Sequence, residues 1–260
     1  MFTHTFAICA YKDSPYLEAC IRSLKRQTVA AEVILCTSTP SPYLEKTAKK
    51  YGLPYFVREG ESDIQADWNF AYGKADSRLV TIAHQDDCYH RDYAYNVQRA
   101  WEKYQDISVF TTDCVIVKNG RVQRRGMFLL IKKLLRMPLR FHGLAHYGWM
   151  KRAALAFGNP LICPSATYDK ERLGMPLFDS SYKFALDWDT MWALAGRPGR
   201  FYCVERPLIA YRIHEGATTK EFIENHHRGK EELGMYQKIW PKAVAKCLLV
   251  FYQRAYGAYR

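Results

Sequence analysis

The sequence predicts an α/β fold in which helices cover both faces of a mostly parallel β-sheet. Strand-like apolar segments and amphipathic helix-like segments alternate along the first hundred residues of the 260-residue chain, which is typical of a parallel sheet. The composition is that of a globular protein, with 48% hydrophobic and 25% charged residues. A chain of this length buries a large core, either as one α/β domain or as one domain with an appendage.

The first half of the chain contains four predicted strand–helix pairs. We expect strands at 5–11, 32–38, 54–59 and 78–84, and helices at 13–27, 41–52, 64–75 and 91–104. Asp13 or Ser14 is the expected N-cap of the first helix, and Gly52 is the expected end of the second. Because ligands of such sheets bind beyond the carboxyl ends of the strands, we expect the functional site there.

The pattern of the second half is different. We expect a strand and hairpin at 108–123 that turns at Asn119-Gly120, helices at 127–137, 146–157 and 181–196, extended segments at 161–169 and 200–216, and two final helices divided by Pro241. Lys132, Lys133 and Arg136 are expected on one side of the 127–137 helix.

The charge and the cysteines limit the class of protein. A net charge of +12 and a pI near 9.3 favour anionic partners, but no nucleic-acid-binding motif is present, so we expect no nucleic-acid partner. The eight cysteines form no CxxC pair. With neither a signal peptide nor an apolar run of membrane-spanning length, this predicts reduced thiols and a cytoplasmic location.

The segment "IAHQDD" (82–87) places two adjacent carboxylates at the end of an apolar strand. Like charges repel and lose hydration when partly buried, so Asp86 and Asp87 indicate a bound divalent cation. Carboxylates are ligands that Mg²⁺ and Mn²⁺ prefer. In the alternative interpretation, Asp87 caps the following helix and Asp86 is solvated.

Four segments in order, "TFAICAYKDSPYLEACIRSLKRQT", "IAHQDD", "LDWD" and "YRIHEGATT", resemble the family 2 glycosyltransferases of the GT-A fold. The resemblance covers about residues 3 to 219. It implies a GT-A type (Rossmann-like) mixed sheet flanked by helices. It also implies a nucleotide-binding half at 1–105, an acceptor-binding half at 106–219 and a helical C-terminal extension at 220–260.

The resemblance also implies a reaction. Such enzymes invert the anomeric centre while moving a sugar from a nucleotide-diphosphate sugar, here with a UDP-sugar favoured, to a hydroxyl of a glycan or lipid-linked glycan. The implied setting is bacterial polysaccharide or glycoconjugate assembly. The helix at 127–137 and the segment 247–260 are candidates for peripheral contact with the inner face of the membrane.

The metal and diphosphate residues follow from the same match. "HQDD" stands at the family's DxD motif, which makes Asp86 the metal ligand and puts His84 in place of the first Asp. Imidazole suits Mn²⁺ better than Mg²⁺, so either ion is expected, with His84 as a candidate ligand. His214 matches a histidine near the metal or diphosphate, and Arg212 is the candidate for neutralising the leaving diphosphate.

The resemblance places the nucleotide at the ends of the first strands. The candidate contacts are Ala10, Tyr11, Asp13, Ser38, Asp67, Asn69 and Gln85. Thr37 is an alternative to Ser38 for base selection. Ordinary packing of Tyr11, helix capping by Asp13 and a polar face on the 64–75 helix are the structural alternatives.

The general base is implied in "LDWD", where Asp187 matches the family's catalytic carboxylate. Asp189 is expected to face away on the helix, so it and Asp87 are assigned as helix caps or secondary acids. Asn159, Ser165 and Tyr168 are candidate acceptor contacts.

Two other functions fit parts of the sequence. "AHQDD" resembles the "AHPDD" motif of zinc-dependent sugar N-deacetylases, although here it ends the fourth strand and no HxxH accompanies it. A catalytically inactive nucleotide- or membrane-binding module is the second alternative, because His84 and the 37–38 pair replace acidic residues of the family pattern.

Overall fold

The strands form one mixed sheet in the computed structural model, which describes residues 3–214 and 227–253. Within these residues the strands are β1 His4–Ala10, β2 Glu32–Thr37, β3 Tyr55–Val57, β4 Leu79–His84, β5 Cys88–Tyr89, β6 Ile107–Lys118, β7 Arg121–Gln123, β8 Thr167–Asp169 and β9 Arg200–Ile213. Their order across the sheet is β3-β2-β1-β4-β8-β6-β9-β5, with β7 paired to β6.

The helices lie between these strands and after them. They are α1 Leu17–Lys25, α2 Pro42–Tyr51, α3 Ile64–Lys74, α4 Tyr93–Lys103, α5 Met127–Leu135, α6 Gly148–Leu155, α7 Lys170–Leu173, α8 Leu186–Ala195, α9 His227–Ile239 and α10 Lys242–Gln253. No helix in the described ranges is both long enough and apolar enough to cross a bilayer. The candidate membrane segment 247–260 is described only as far as residue 253.

The first four strands confirm the predicted parallel arrangement. β1 pairs in parallel with β2 on one side and with β4 on the other, and β2 pairs in parallel with β3. The chain therefore adds β2 and β3 on one side of β1 and then β4 on its other side. The carboxyl ends of β1, β2 and β4 meet at one edge of the sheet. This is the switch point at which open α/β sheets bind ligands.

The second half completes the sheet with antiparallel pairs. β8 lies antiparallel between β4 and β6, within the segment 161–169 that was expected to be extended. β6 and β9 run in parallel, and Pro207 pairs with Asp113 where their register shifts. A proline has no N–H to donate, so it is tolerated at such an irregularity. The hairpin turns as predicted, because Asn119 and Gly120 both adopt positive φ.

Helices cover both faces of the sheet. One core packs α1, α2 and α4 against the sheet, and the other packs α3, α6, α8, α9 and α10 against the opposite face. Leu17 and Val97 belong to the first core, and Trp188 and Met235 to the second. The two final helices therefore share a core with the helix that carries Asp187.

Three local predictions need correction. α1 begins at Leu17 and not at residue 13, and neither Asp13 nor Ser14 is its N-cap. α8 begins at Leu186 and not at 181. The three cations of α5 and its end do not share a side, because Lys132 and Arg136 are buried while Lys133 is exposed. Ser41 and Gly52, in contrast, cap α2 at its two ends, and Gly52 does so in the left-handed conformation.

Candidate active site

A cleft of about 1110 Å³ opens at the edge where β1, β2 and β4 end. Ala10, Thr37 and His84, the last residues of these strands, line it on one side. Asp187 at the start of α8 lines it on the other. The cleft thus brings together candidate residues from both halves of the chain.

Asp86 lies in the loop after β4 and lines the cleft. Ser14 Oγ donates a hydrogen bond to its Oδ1 over 2.5 Å. His214 Nε2 lies 3.2 Å from its Oδ2, yet this nitrogen makes no aligned hydrogen bond among the described residues. The sequence did not indicate the Ser14 contact, because a serine before a helix is ordinarily a capping residue.

Asp86 and His214 fit a hard divalent cation. A buried imidazole nitrogen without a hydrogen bond, beside a carboxylate oxygen, is an arrangement that a shared cation satisfies. Mg²⁺ and Mn²⁺ are commonly bound by one or two protein ligands, with phosphate oxygens and waters supplying the rest. In the described part of the chain no three His, Cys, Asp or Glu side chains converge on a metal position, so His84 does not complete a three-ligand site with them.

His84 instead belongs to the floor of the cleft. Its ring stacks on Trp68, with 5.3 Å between the ring centroids. Burial lowers the pKa of His84 to about 4, so the imidazole is neutral at physiological pH. Trp68 was not identified from the sequence, because an aromatic residue on a helix is most often an ordinary core residue.

Asp87 is a buried structural carboxyl and not a helix cap. Its side chain accepts the backbone N–H of Arg212 at 2.8 Å, which joins the end of β4 to β9. The next helix, α4, begins six residues later at Tyr93, after Asp92. Burial raises the pKa of Asp87 to about 8. The capping prediction for this residue is therefore wrong.

Arg212 is held beside Asp86. Its Nε donates to the Asp86 backbone oxygen at 2.9 Å, and its guanidinium lies 4.3 Å from the centroid of the Tyr16 ring. Both Arg212 and Tyr16 line the cleft. The Tyr16 ring and the Asp86 carbonyl therefore hold the guanidinium of Arg212 on the same side of the cleft as Asp86 and His214.

The predicted nucleotide residues after β1 lie where they were expected. Ala10, Tyr11 and Asp13 all line the cleft, and Tyr11 is 48% exposed. Gln85 Nε2 donates to the Tyr11 backbone oxygen at 2.8 Å, while its buried Oε1 has no hydrogen-bond partner in the described ranges. The Asp13 carboxylate accepts a hydrogen bond from the Ser41 hydroxyl at 2.6 Å.

Of the predicted nucleotide residues after β2 and on α3, Asp67 reaches the cleft, whereas Ser38 and Asn69 do not. Asp67 lines the cleft, but its carboxylate already accepts from Arg58 at 2.7 Å and from Ser38 at 2.8 Å. Ser38 does not line the cleft, whereas its alternative Thr37 does.

Asn69 is a structural residue, and its nucleotide-binding assignment is wrong. Its amide oxygen accepts the backbone N–H groups of Leu177 and Phe178, each at 3.0 Å. Its amide nitrogen donates to the Phe178 oxygen at 2.7 Å. These three bonds turn the side chain away from the cleft and fasten the 177–178 segment to α3.

Asp187 occupies the first turn of α8 and faces the cleft. Its Oδ1 accepts the backbone N–H of Trp188 at 2.7 Å, and its Oδ2 accepts Asn159 Nδ2 at 2.9 Å. Burial raises the pKa of Asp187, and the charge of Lys132 opposes this shift. A carboxylate whose pKa is raised toward neutral is a stronger base than an exposed one.

Asp189 points elsewhere, as expected. Its carboxylate accepts from Lys238 on α9 at 2.6 Å and from Ser180 at 2.8 Å. It does not line the cleft. Its assignment as a helix cap is wrong, because the N-cap of α8 is Ala185 and the Asp189 carboxylate instead joins α8 to α9.

Several cleft residues were missed by sequence reasoning. Lys132 of α5, Arg228 and Glu232 of α9, and Tyr252 of α10 all line the cleft. Of the candidate acceptor contacts, Asn159 reaches it, while Ser165 and Tyr168 are fully buried and do not line it. Nothing in the local sequence distinguishes these residues from ordinary charged or core positions.

The sequence and the fold match known proteins. The model of the family "Glycosyl transferase family 2" matches residues 5–157, more than half of the chain. A search of curated protein sequences finds no match.

Solved structures with the same fold are also found. S. aureus TarS 1–349 in complex with UDP-GlcNAc is 15% identical with a TM-score of 0.60, and the match covers 99% of this chain and 73% of that one. The Pyrobaculum calidifontis mannosyltransferase PcManGT in complex with GDP-Man and Mn²⁺ is 15% identical with a TM-score of 0.57, over 95% and 69%. The Mycobacterium tuberculosis glucosyl-3-phosphoglycerate synthase is 13% identical with a TM-score of 0.58, over 85% and 78%.

The family match contradicts the zinc-dependent deacetylase alternative, which rested on the "AHQDD" segment alone. It agrees with a curled mixed sheet whose cleft lies at the carboxyl ends of its parallel strands. The chain is a glycosyltransferase that belongs to glycosyl transferase family 2.

Proposed function

We propose that the protein inverts the anomeric centre of a sugar while transferring it from a nucleotide-diphosphate sugar to an acceptor hydroxyl. The observation that supports this most directly is that Asp86 and His214 line one side of a single cleft and Asp187 lines the other. A pair that would hold a cation beside the leaving diphosphate, and a carboxylate that would act as base across the same space, fit an inverting transfer. In this proposal residues 1–105 bind the nucleotide and 106–219 bind the acceptor.

The diphosphate end is assigned to Asp86, His214 and Arg212. Asp86 and His214 would hold a Mn²⁺ or Mg²⁺ ion, whose positive charge would neutralise the leaving diphosphate. Arg212 adds a guanidinium fixed between Tyr16 and the Asp86 carbonyl, and guanidinium groups bind phosphate oxygens in a forked geometry.

The acceptor end is assigned to Asp187. The acceptor hydroxyl gives its proton to this carboxylate as its oxygen attacks the anomeric carbon opposite the diphosphate. The bond from that carbon to the phosphate oxygen breaks, and the nucleoside diphosphate leaves with the electron pair. Direct displacement inverts the anomeric centre and needs no covalent enzyme intermediate.

We propose a UDP-sugar as donor and a glycan or lipid-linked glycan as acceptor. The fold neighbours TarS, with UDP-GlcNAc, and PcManGT, with GDP-Man and Mn²⁺, support a nucleotide sugar with a divalent cation. Tyr11, whose ring is exposed beside Ala10 in the cleft, is the candidate surface for the base.

We also propose a role in bacterial polysaccharide or glycoconjugate assembly, at the cytoplasmic face of the membrane. The outer surface of α5 supports peripheral contact. Met127, Leu130 and Leu134 are exposed on one side of this helix, and Arg124 and Arg125 precede it as exposed cations. An apolar helix face beside basic residues binds the interface of an anionic bilayer.

Thermal unfolding with nucleotides tests the donor assignment. The purified protein is heated with UDP, GDP, CDP or dTDP, each with and without Mn²⁺. A ligand at a hundred times its dissociation constant stabilises the native state by about 2.7 kcal/mol, which for a chain of this size corresponds to a rise of roughly 5–10 °C in Tm. We expect a rise with UDP that requires Mn²⁺.

The other outcomes are equally informative. A rise with GDP, CDP or dTDP instead of UDP would keep the transferase proposal and replace the base. If UDP raises Tm equally with and without Mn²⁺, the metal assignment of Asp86 and His214 is wrong. No rise with any nucleotide would favour a family member that has lost its chemistry.

A further inference from the structure

The carboxylate of Asp187 lies in a cluster built by three separate parts of the chain. Asn159 comes from the segment after α6, Lys132 from α5, and Arg228 and Glu232 from α9. All of them line the cleft together with Asp187. The proposed base is thus surrounded by buried polar groups that the transfer itself does not use.

Asn159 has its amide fixed at both ends. Its Nδ2 donates to Asp187 Oδ2 at 2.9 Å, and its Oδ1 accepts the backbone N–H of Leu161 at 3.1 Å. The second bond decides which end of the amide faces the carboxylate, because only the oxygen can accept an N–H. Asn159 is therefore a directed donor to Asp187.

Lys132 holds the backbone that carries Asn159. The residue is 9% exposed, and its Nζ donates to the backbone oxygens of Asn159 at 2.8 Å and Leu161 at 3.4 Å. One turn later, Arg136 donates to the Pro160 oxygen at 3.1 Å. Two buried cations of α5 and its end thus bind three successive carbonyls, which fixes the 159–161 turn.

Among the described residues, the charged groups near Asp187 are Lys132 from α5 and Arg228 and Glu232 from α9. The titratable groups Cys163 and Tyr168 are also near, but burial raises the pKa of each, so both are uncharged at neutral pH. Lys132 makes the largest contribution among the charges that favour the ionised carboxylate. Burial lowers the pKa of Lys132 itself to about 8, so the ammonium is charged at neutral pH.

We propose that Lys132 and Asn159 are positioning residues for the base Asp187. Lys132 fixes the 159–161 turn and faces the carboxylate with its positive charge, and Asn159 holds Oδ2 by its hydrogen bond. With Oδ1 bound to the Trp188 N–H, the carboxylate is held in one orientation, with its remaining lone pairs available to an acceptor hydroxyl. This inference rests on the proposed function, since it requires Asp187 to be the base.

The test uses hydrolysis of the nucleotide sugar whose nucleotide raises Tm, with water in place of the acceptor. The kcat and donor KM of the full chain are measured from pH 5 to 9 for Asn159→Ala, Lys132→Met and Lys132→Arg. Lys133→Met, one residue along α5 and exposed, is the matched control. Asp187→Asn is measured in parallel.

We expect kcat to fall about ten- to a hundredfold in Asn159→Ala and Lys132→Met, as for loss of a hydrogen bond to a charged group, with donor KM unchanged. Without the charge of Lys132 the protonated form of Asp187 is favoured. The acidic limb of the Lys132→Met profile therefore moves to higher pH. Lys132→Arg keeps the charge, so its acidic limb stays at the wild-type pH even if misplacement lowers its kcat.

Three outcomes would overturn the proposal. If Lys132→Met and Asn159→Ala have the same kcat as Lys133→Met while Asp187→Asn is inactive, Asp187 remains the base but Lys132 and Asn159 do not position it. If Lys132→Met and Lys132→Arg both lose activity with no displacement of the acidic limb, Lys132 acts only in folding. An Asp187→Asn variant as active as wild type would instead refute the base assignment, and the positioning role with it.

Discussion

At the scale of single residues, Asp187 and Asp189 share one helix but face different surroundings. Asp187 faces the cleft, whereas Asp189 is paired with Lys238. We expect Asp187→Asn to lower transfer about 10²- to 10⁴-fold, the usual contribution of a general base. Nucleotide affinity should remain nearly unchanged, because the nucleotide residues lie on the other side of the cleft. Steady-state rates and nucleotide titrations measure the two effects.

Asp189→Asn is the control on the same helix. This change weakens the contact with Lys238, so a small loss of stability is expected, but the cleft carboxylate is untouched. Activity should stay near wild type. Retained transfer in Asp187→Asn, or its loss only in Asp189→Asn, would show that the base has been assigned to the wrong carboxylate.

The sequence could indicate the position of residues that belong to a recognisable segment. Asp86, Asp187 and Arg212, which were assigned from the resemblance to the family, all line the cleft, and their roles remain predictions. Asn69 does not line it, because its amide is satisfied by the backbone of Leu177 and Phe178, about a hundred residues along the chain. Such long-range hydrogen bonds follow from the tertiary fold and leave no local pattern.

At the scale of elements, hydrophobic periodicity identified every strand and helix of the first hundred residues except β5. β5 and β8 contain two and three residues, too few for a period to be visible. The start of α8 was placed five residues early for a different reason. Glu231 on α9 accepts the backbone N–H groups of residues 183–185, so a distant helix supplies the cap that determines where α8 begins.

The outer face of α5 gives an element-scale prediction. Leu130 and Leu134 are 51% and 57% exposed and lie one turn apart, so Leu130→Ser with Leu134→Ser removes apolar contact area without touching the core. We expect the wild-type protein to float with vesicles that contain anionic lipid, less so at high salt, and the double variant to stay in the soluble fraction.

Val57→Ser is the control for this experiment. Val57 is exposed on β3, which is an edge strand of the sheet and not part of α5, so this change should not affect flotation. Vesicles of uncharged lipid distinguish apolar insertion from attraction to basic residues such as Arg124 and Arg125. A wild-type protein that remains soluble with anionic vesicles would contradict the membrane assignment of α5.

At the scale of the whole molecule, the final helices are part of the same folded unit as the cleft. Met235 and Tyr236 of α9 and Ala245 of α10 are fully buried in the core that contains Trp188. Lys238 and Glu231 add polar contacts to α8 and its start. The family match ends at residue 157, yet residues of α9 and α10, far beyond it, line the cleft together with Asp187.

Met235→Ala tests this coupling. The side chain is fully buried, so its truncation should lower the free energy of unfolding by about 2–5 kcal/mol. If α9 belongs to the cooperative unit, urea curves followed by tryptophan fluorescence and by far-ultraviolet circular dichroism should coincide and shift together. Gln237→Ala, on the exposed side of the same helix, should leave both curves in place. Separate transitions for the two probes, or an early loss of helix signal with an unshifted fluorescence midpoint, would show that the C-terminal helices unfold independently of the catalytic cleft.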